Sequence, residues 1–280
     1  MRRNSLLLWT VVICAADASA APPRKLVRRS PVRTELKVSP SVALEDRVRE
    51  EMRKADEILA HLDAVSIFDS PYVISALYYR DGFLSAYNSD RTDADPARRI
   101  ISYITKQFTA ARKQEFIRLL HELYDEREPK LRPAFQSPMP YKIPAKPRSR
   151  RIHENALDLF SPEGTKVLSA TAGVVLLAEQ GWTESDPFST SSHAGGNTVI
   201  VFDPATDRLY RYCHFGSVVV VPGNVVEPGD PIGTVGHSGL NASRPRHGGH
   251  VHFEVNRWQD GAMRPFSNLE IWDMFRLAGR

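Results

Sequence analysis

His247-Gly248-Gly249-His250-Val251-His252-Phe253-Glu254-Val255, near the C-terminal end of a 280-residue chain, is the stretch on which the fold is decided. β-Branched and aromatic residues alternate there with polar ones, as in a strand, and residues two apart on a strand project from one face. His250 and His252 therefore share a face, while Val251 and Phe253 point away. Two imidazoles in one space suit a metal ion or a proton relay, and equally a solvent-facing polar edge. Other histidines have to decide between these.

Upstream, Arg150-Arg151-Ile152-His153-Glu154-Asn155-Ala156-Leu157-Asp158-Leu159 sets an imidazole and a carboxylate on either side of a short turn before an apolar strand. Together with one histidine of the later pair, they offer three zinc ligands and leave a fourth position for water, the pattern of a catalytic rather than a structural site. Between the two segments lies Leu209-Tyr210-Arg211-Tyr212-Cys213-His214-Phe215, where alternation sets Tyr212 and His214 on one face and Cys213 on the other. His214 is thus a candidate base beside the metal ligands.

These blocks, with Ser161-Pro162-Glu163-Gly164-Thr165 running on to Gly173-Val174-Val175, with Gly195-Gly196-Asn197-Thr198-Val199-Ile200-Val201, and with Val226-Glu227-Pro228-Gly229-Asp230-Pro231 running on to Ser238-Gly239, stand in a telling order. From about Arg150 to Asn256 the chain resembles the lysostaphin-type, LytM-like zinc metallopeptidases, which cut peptide bonds in bacterial peptidoglycan. A lone His-x-His is a weak signal, and five blocks in order are a strong one. The resemblance implies that His153, Asp158 and His252 bind one zinc ion per chain and that His214 and His250 form the catalytic pair. One imidazole accepts the proton of the attacking water, and the other helps to stabilise the oxyanion. The family commonly separates its first histidine from the aspartate by three residues, whereas four intervene here. The extra residue reads as loop variation, with Glu154 as the one nearby substitute carboxylate.

Composition is that of a globular protein, with 42% hydrophobic and 25% charged residues. Residues 1–20 combine Arg2 and Arg3, an apolar run too short to span a bilayer, and Ala18-Ser19-Ala20, which together read as a secretory signal peptide. Export to the periplasm or cell envelope follows, with no transmembrane segment in the mature chain. Cleavage would remove Cys14 and leave Cys213 without an internal disulfide partner. It would also lower the formal net charge from +4 to +3 through loss of Arg2, Arg3 and Asp17. Basic residues crowd 24–33 and 142–151, which in an exported protein points to anionic envelope polymers or lipid head groups rather than nucleic acid, and equally to a solvated basic linker.

Breakers and periodicity divide the remainder. Residues 21–40 form a basic, Pro-rich flexible segment, 41–127 a helical domain, 128–149 a Pro-rich linker or strap, and 150–280 the peptidase-like domain of short antiparallel strands. In the helical domain Leu44, Val48, Met52, Ala55, Leu59 and Leu62 recur at spacings of three and four. Ser70-Pro71 and Asp95-Pro96 read as a cap followed by proline at the first helical position. From the second of these, one helix is expected to carry Ile101, Ile104, Phe108, Ala111, Leu119, Leu120 and Leu123. The fold class is α+β.

Other chemistries fit poorly. Gly236-His237-Ser238-Gly239 lacks the glycine spacing and strand-turn-helix setting of a hydrolase nucleophile, and Leu157 stands where a thermolysin-like motif needs its second histidine. Cys213 is expected to be buried filler, and His193, His237 and His247 to be loop residues near the cleft. Glycines 164, 173, 223, 229, 233, 236 and 239 read as turn positions that use a positive φ. The function expected is a zinc endopeptidase acting on peptidoglycan peptides. The alternative is a non-catalytic regulator that binds cell wall or activates an amidase. The N-terminal helices are expected to lie against the peptidase domain and restrict access to it, or to receive an envelope protein partner.

Overall fold

A computed structural model describes residues 40–63, 66–78, 95–127, 135–140, 154–245 and 247–278. The expected signal peptide, nearly all of the basic segment, His153 and most of the Pro-rich linker lie outside these residues.

Helix α1 (Pro40–Ala60) turns its apolar stripe inward, and Leu44, Val48, Met52, Ala55 and Leu59, with Leu62 just beyond, all join one core. In α2 (Pro71–Tyr78) Ser70 Oγ accepts the Val73 N–H at 3.4 Å, and Pro71 occupies a position where no intrahelical donor is needed. Asp95 caps α3 (Pro96–Gln107) in the same way, accepting from the Arg98 N–H. The single helix expected from here onward is instead two. Phe108 leaves helical geometry at φ −79° and ψ 72° with its ring 5.8 Å from that of Phe116. Thr109 Oγ1 then accepts the Arg112 N–H at 3.3 Å and starts α4 (Ala110–Arg127). A hydroxyl able to cap competes with helix continuation, and apolar periodicity does not register it.

The remainder is built from two antiparallel sheets. In the larger, β1 (Ala156–Phe160), β9 (His250–Gln259), β5 (Arg208–Cys213), β4 (Thr198–Asp203), β3 (Gly173–Glu179) and β7 (Val225–Val226) pair in that order, with β10 (Ala262–Pro265) also on β9. The smaller consists of β2 (Lys166–Leu168), β8 (Pro231–Val235) and β6 (Phe215–Val218). Helix α5 (Asn268–Ala278) follows.

Alternation sends the two faces of the large sheet to different partners. Val199, Val201, Tyr210, Tyr212, Val251, Phe253 and Val255 meet the small sheet, α5 and Met139 in one core. Val174, Leu176, Ile200, Phe202, Leu209 and Trp258 face the opposite way, into a core shared with α1 to α4. The helical region thus packs on the sheet, and the molecule is α+β as expected. Residues 135–140 bind along the β2–β3 connection, where the Gln136 N–H donates to Ala170 O and the Leu168 N–H to Pro138 O.

Not every glycine expected at a turn is needed for positive φ. Gly164, Gly223, Gly229 and Gly239 have it, but Gly173, Gly233 and Gly236 do not. At Gly173 the requirement is room, because a Cβ there would lie 2.0 Å from the Phe202 carbonyl oxygen. Among the described residues no helix is long and apolar enough to cross a membrane.

Candidate active site

The antiparallel register of β1 and β9 sets Asp158 directly opposite His252 and Phe160 opposite His250. His252 lies between two carboxylates, with Nδ1 2.9 Å from Asp158 Oδ1 and Nε2 2.8 Å from Glu254 Oε1. A neutral imidazole has one N–H and can donate to only one of them. The other nitrogen then meets an oxygen lone pair to lone pair, an arrangement that calls for a proton or a cation between the two. Burial alone would lower the imidazole, but Asp158 and Glu254 outweigh it and raise His252 to about 9.

Glu254 is held by two other elements. Arg211 Nη1 on β5 donates to Oε1 at 3.0 Å, and the Tyr78 hydroxyl at the end of α2 donates to Oε2 at 2.5 Å. Burial pushes this carboxyl up, yet Arg211 and His252 together hold it well below the usual carboxylate range.

His214 arrives by a route that alternation does not describe. Strand β5 ends at Cys213, and His214 adopts φ 68°, a left-handed conformation uncommon outside glycine. Strict alternation would have put it beside Tyr212 in the core. The kink, with the His214 N–H donating to Gly195 O, brings its ring to 4.8 Å from that of His250 and 5.9 Å from that of His252. His214 Nδ1 is 2.6 Å from Ser238 O and His250 Nδ1 is 3.0 Å from Gly248 O. Since a carbonyl only accepts, both rings carry hydrogen on Nδ1 and leave the Nε2 lone pair free. Burial is the main cause of the depression of both, His214 reaching about 3 with help from His252 and His250.

A cavity of about 660 Å³ lies over these rings, bounded by His193, His214 and His250 on one side and by Tyr78, Arg98 and Ile101 of the helical region on the other. Of the expected site residues, Asp158, His214, His250 and His252 are brought together, and His153 lies outside the described residues. Among the described residues no group of three histidine, cysteine or acidic side chains is arranged to hold a metal ion. Glu154, the substitute carboxylate, is exposed in the turn before β1, whereas Asp158 lies against His252 Nδ1. His247 stacks 5.3 Å from His250, His193 is buried against Trp182, and His237 pairs with Glu163 at the surface. Cys213 is buried, and burial pushes its thiol up to about 11. Ser238 Oγ donates to Phe215 O and accepts from the Asn197 N–H, a stitch between loops rather than a nucleophile.

Glu254, Arg211 and Tyr78 were given no role by the sequence reading. The period of two carries Glu254 onto the His252 face and could have found it. Tyr78 stands 176 residues from Glu254 and carries no local signal.

Fold and residue pattern together define a class, and residues 152–265 match the model of Peptidase family M23. That segment, less than half of the chain, is similar to the peptidases of this family and holds Asp158, His214, His250 and His252. No curated protein matches the chain by sequence. Among solved structures, the antimicrobial peptidase lysostaphin from Staphylococcus simulans is similar at 20% identity and a TM-score of 0.34, over 53% of this chain and 50% of that one. A zinc-containing peptidase from Vibrio cholerae aligns at 23% identity and a TM-score of 0.33, over 50% of this chain and 40% of the other. A variant of the catalytic domain of a prophage-encoded M23 protein from Enterococcus faecalis aligns at 21% identity and a TM-score of 0.32, over 48% and 94%. The matched region thus spans half of lysostaphin's length.

Proposed function

We propose that this chain is an exported zinc metalloendopeptidase that hydrolyses peptide crosslinks of bacterial peptidoglycan. One observation carries the reading. His252 presents one nitrogen to Asp158 while Glu254 takes the other, so that a cation between Nδ1 and Asp158 would satisfy all three groups. The donor set of imidazole nitrogen and carboxylate oxygen suits zinc, with His153 as the third ligand that the sequence supplies. Zinc at such a site supplies Lewis acidity, which polarises a peptide carbonyl and lets water lose a proton near neutrality.

The protein's own groups do the rest. His214 and His250 each have Nδ1–H committed to a backbone carbonyl, so the free Nε2 of either can accept the proton of the attacking water. Once protonated, that ring is a donor at Nε2, able to bond the oxyanion or deliver the proton to the departing amine. Glu254 holds the Nε2–H of His252 and so keeps that ring out of the proton traffic.

Elemental analysis of the mildly purified full chain, followed by digestion of purified peptidoglycan with product analysis, tests the reading. One zinc per chain and new peptide termini are expected. A metal-free protein would remove the zinc assignment, and a zinc-loaded but inactive one would favour the regulator.

A further inference from the structure

We propose that Tyr78, delivered by the end of α2, is a positioning residue of the peptidase site, its hydroxyl fixing Glu254 so that Glu254 fixes the ring of His252. The inference rests on the zinc reading given above.

The Glu254 carboxylate has two oxygens and an unequal division of donors. Oε1 takes both Arg211 and His252, while Oε2 takes the Tyr78 hydroxyl. Tyr78 is 2% exposed, with its ring 5.6 Å beneath the Arg211 guanidinium carbon and its carbonyl oxygen accepting from Asn256 Nδ2 at 3.1 Å. The end of α2 is therefore tied to Glu254 and Asn256, successive residues on the polar face of β9. Deleting the hydroxyl leaves Oε2 without this donor in a shielded pocket, a loss that the carboxylate offsets by rotating to share Arg211 between its oxygens. That rotation weakens the bond to His252 Nε2. The ring is then less firmly held, and the Nδ1 lone pair that a cation beside Asp158 would use is no longer aimed at it.

The helical region thus supplies part of the site's framework as well as a wall of the cleft. Removing a group that orients a ligand typically weakens metal binding by about 10–100-fold. Tyr78→Phe in the full chain keeps the ring against Arg211 and removes only the hydroxyl. Zinc affinity measured by chelator competition should fall by about 10–100-fold. In the zinc-loaded protein the His252 Nε2–H proton should resonate at higher field and exchange faster with water as its bond to Glu254 weakens, a change that looser packing elsewhere would not produce. Glu254→Gln should have at least as large an effect, and the double variant should be no worse than Glu254→Gln, because Tyr78 acts through Glu254. Unchanged affinity in Tyr78→Phe, or additive losses in the double variant, would overturn the inference. Should Tyr78→Phe fail to fold, unchanged zinc affinity in Glu254→Gln would overturn it by itself. Wild-type protein that takes up no zinc would instead remove the proposed function.

Discussion

The two sides of His252 are built from different parts of the chain. On the Nδ1 side the β1–β9 register brings Asp158 opposite the histidine. On the Nε2 side, Glu254 is held by β5 through Arg211 and by α2 through Tyr78. Strand pairing juxtaposes the residues of the first side, whereas the second requires the helical region to have packed on the sheet. What the contrast teaches is that proposed metal ligands can be encoded in a short motif while their orientation depends on a distant segment.

The sharpest way to break the contrast is to remove the residue both sides share. His252→Ala should take zinc content from one per chain to trace levels and abolish hydrolysis, by elemental analysis and product release from peptidoglycan. Full zinc content in that variant would detach the Nδ1 side from metal binding. Next in size is the proposed proton-transfer pair, which belongs to neither side. His250→Ala and His214→Ala should each retain zinc while turnover falls by a factor on the order of 10² or more. Full activity in both would overturn the assigned roles. Loss of zinc in either would mean that the ring helps to hold the metal.

The same contrast explains what the sequence made legible. Alternation in β9 gave the strand, its faces and the shared space of His250 and His252, because a period of two needs no tertiary information. Caps at Ser70-Pro71 and Asp95-Pro96 were readable because their hydrogen bonds reach only three residues. Alternation and the resemblance both name His214 as a candidate base, but alternation puts it on the wrong face, since a residue such as histidine at φ 68° follows from the tertiary bond to Gly195 O. The break at Phe108 and Thr109 was missed because apolar periodicity runs straight through it. Tyr78 falls at the end of the helix that Ser70-Pro71 opens. A residue whose role is to meet a carboxylate in another region has no signature of its own.

The smallest expected effect sharpens the comparison on the helical side, through the anchorage of α2 itself. Ser75 on α2 bonds Ser191 (Oγ to Oγ 2.8 Å), and Glu179 on β3 accepts from both the N–H and the hydroxyl of Ser191. Burial raises the Glu179 carboxyl to about 7, against the opposing bonds from Ser191 and the charge of Arg211. The sign follows from the two states. The unfolded chain ionises this group near 4.5, the folded chain only near 7, so between those values the folded state holds the extra proton. Its contribution to stability is therefore full below pH 4.5 and is lost as pH rises through 7. Glu179→Gln keeps an acceptor for the Ser191 N–H, and its amide can donate to Ser191 Oγ, because hydroxyls reverse direction at little expense. Melting temperatures of both proteins, recorded in the same buffers from below pH 4.5 to above 7, isolate this group, since every other titration is common to them. The wild type should lose stability relative to the variant across that window, with the gap opening as pH rises. Parallel curves would show that Glu179 takes up its proton at the same pH in both states and that α2 rests on an ordinary carboxylate.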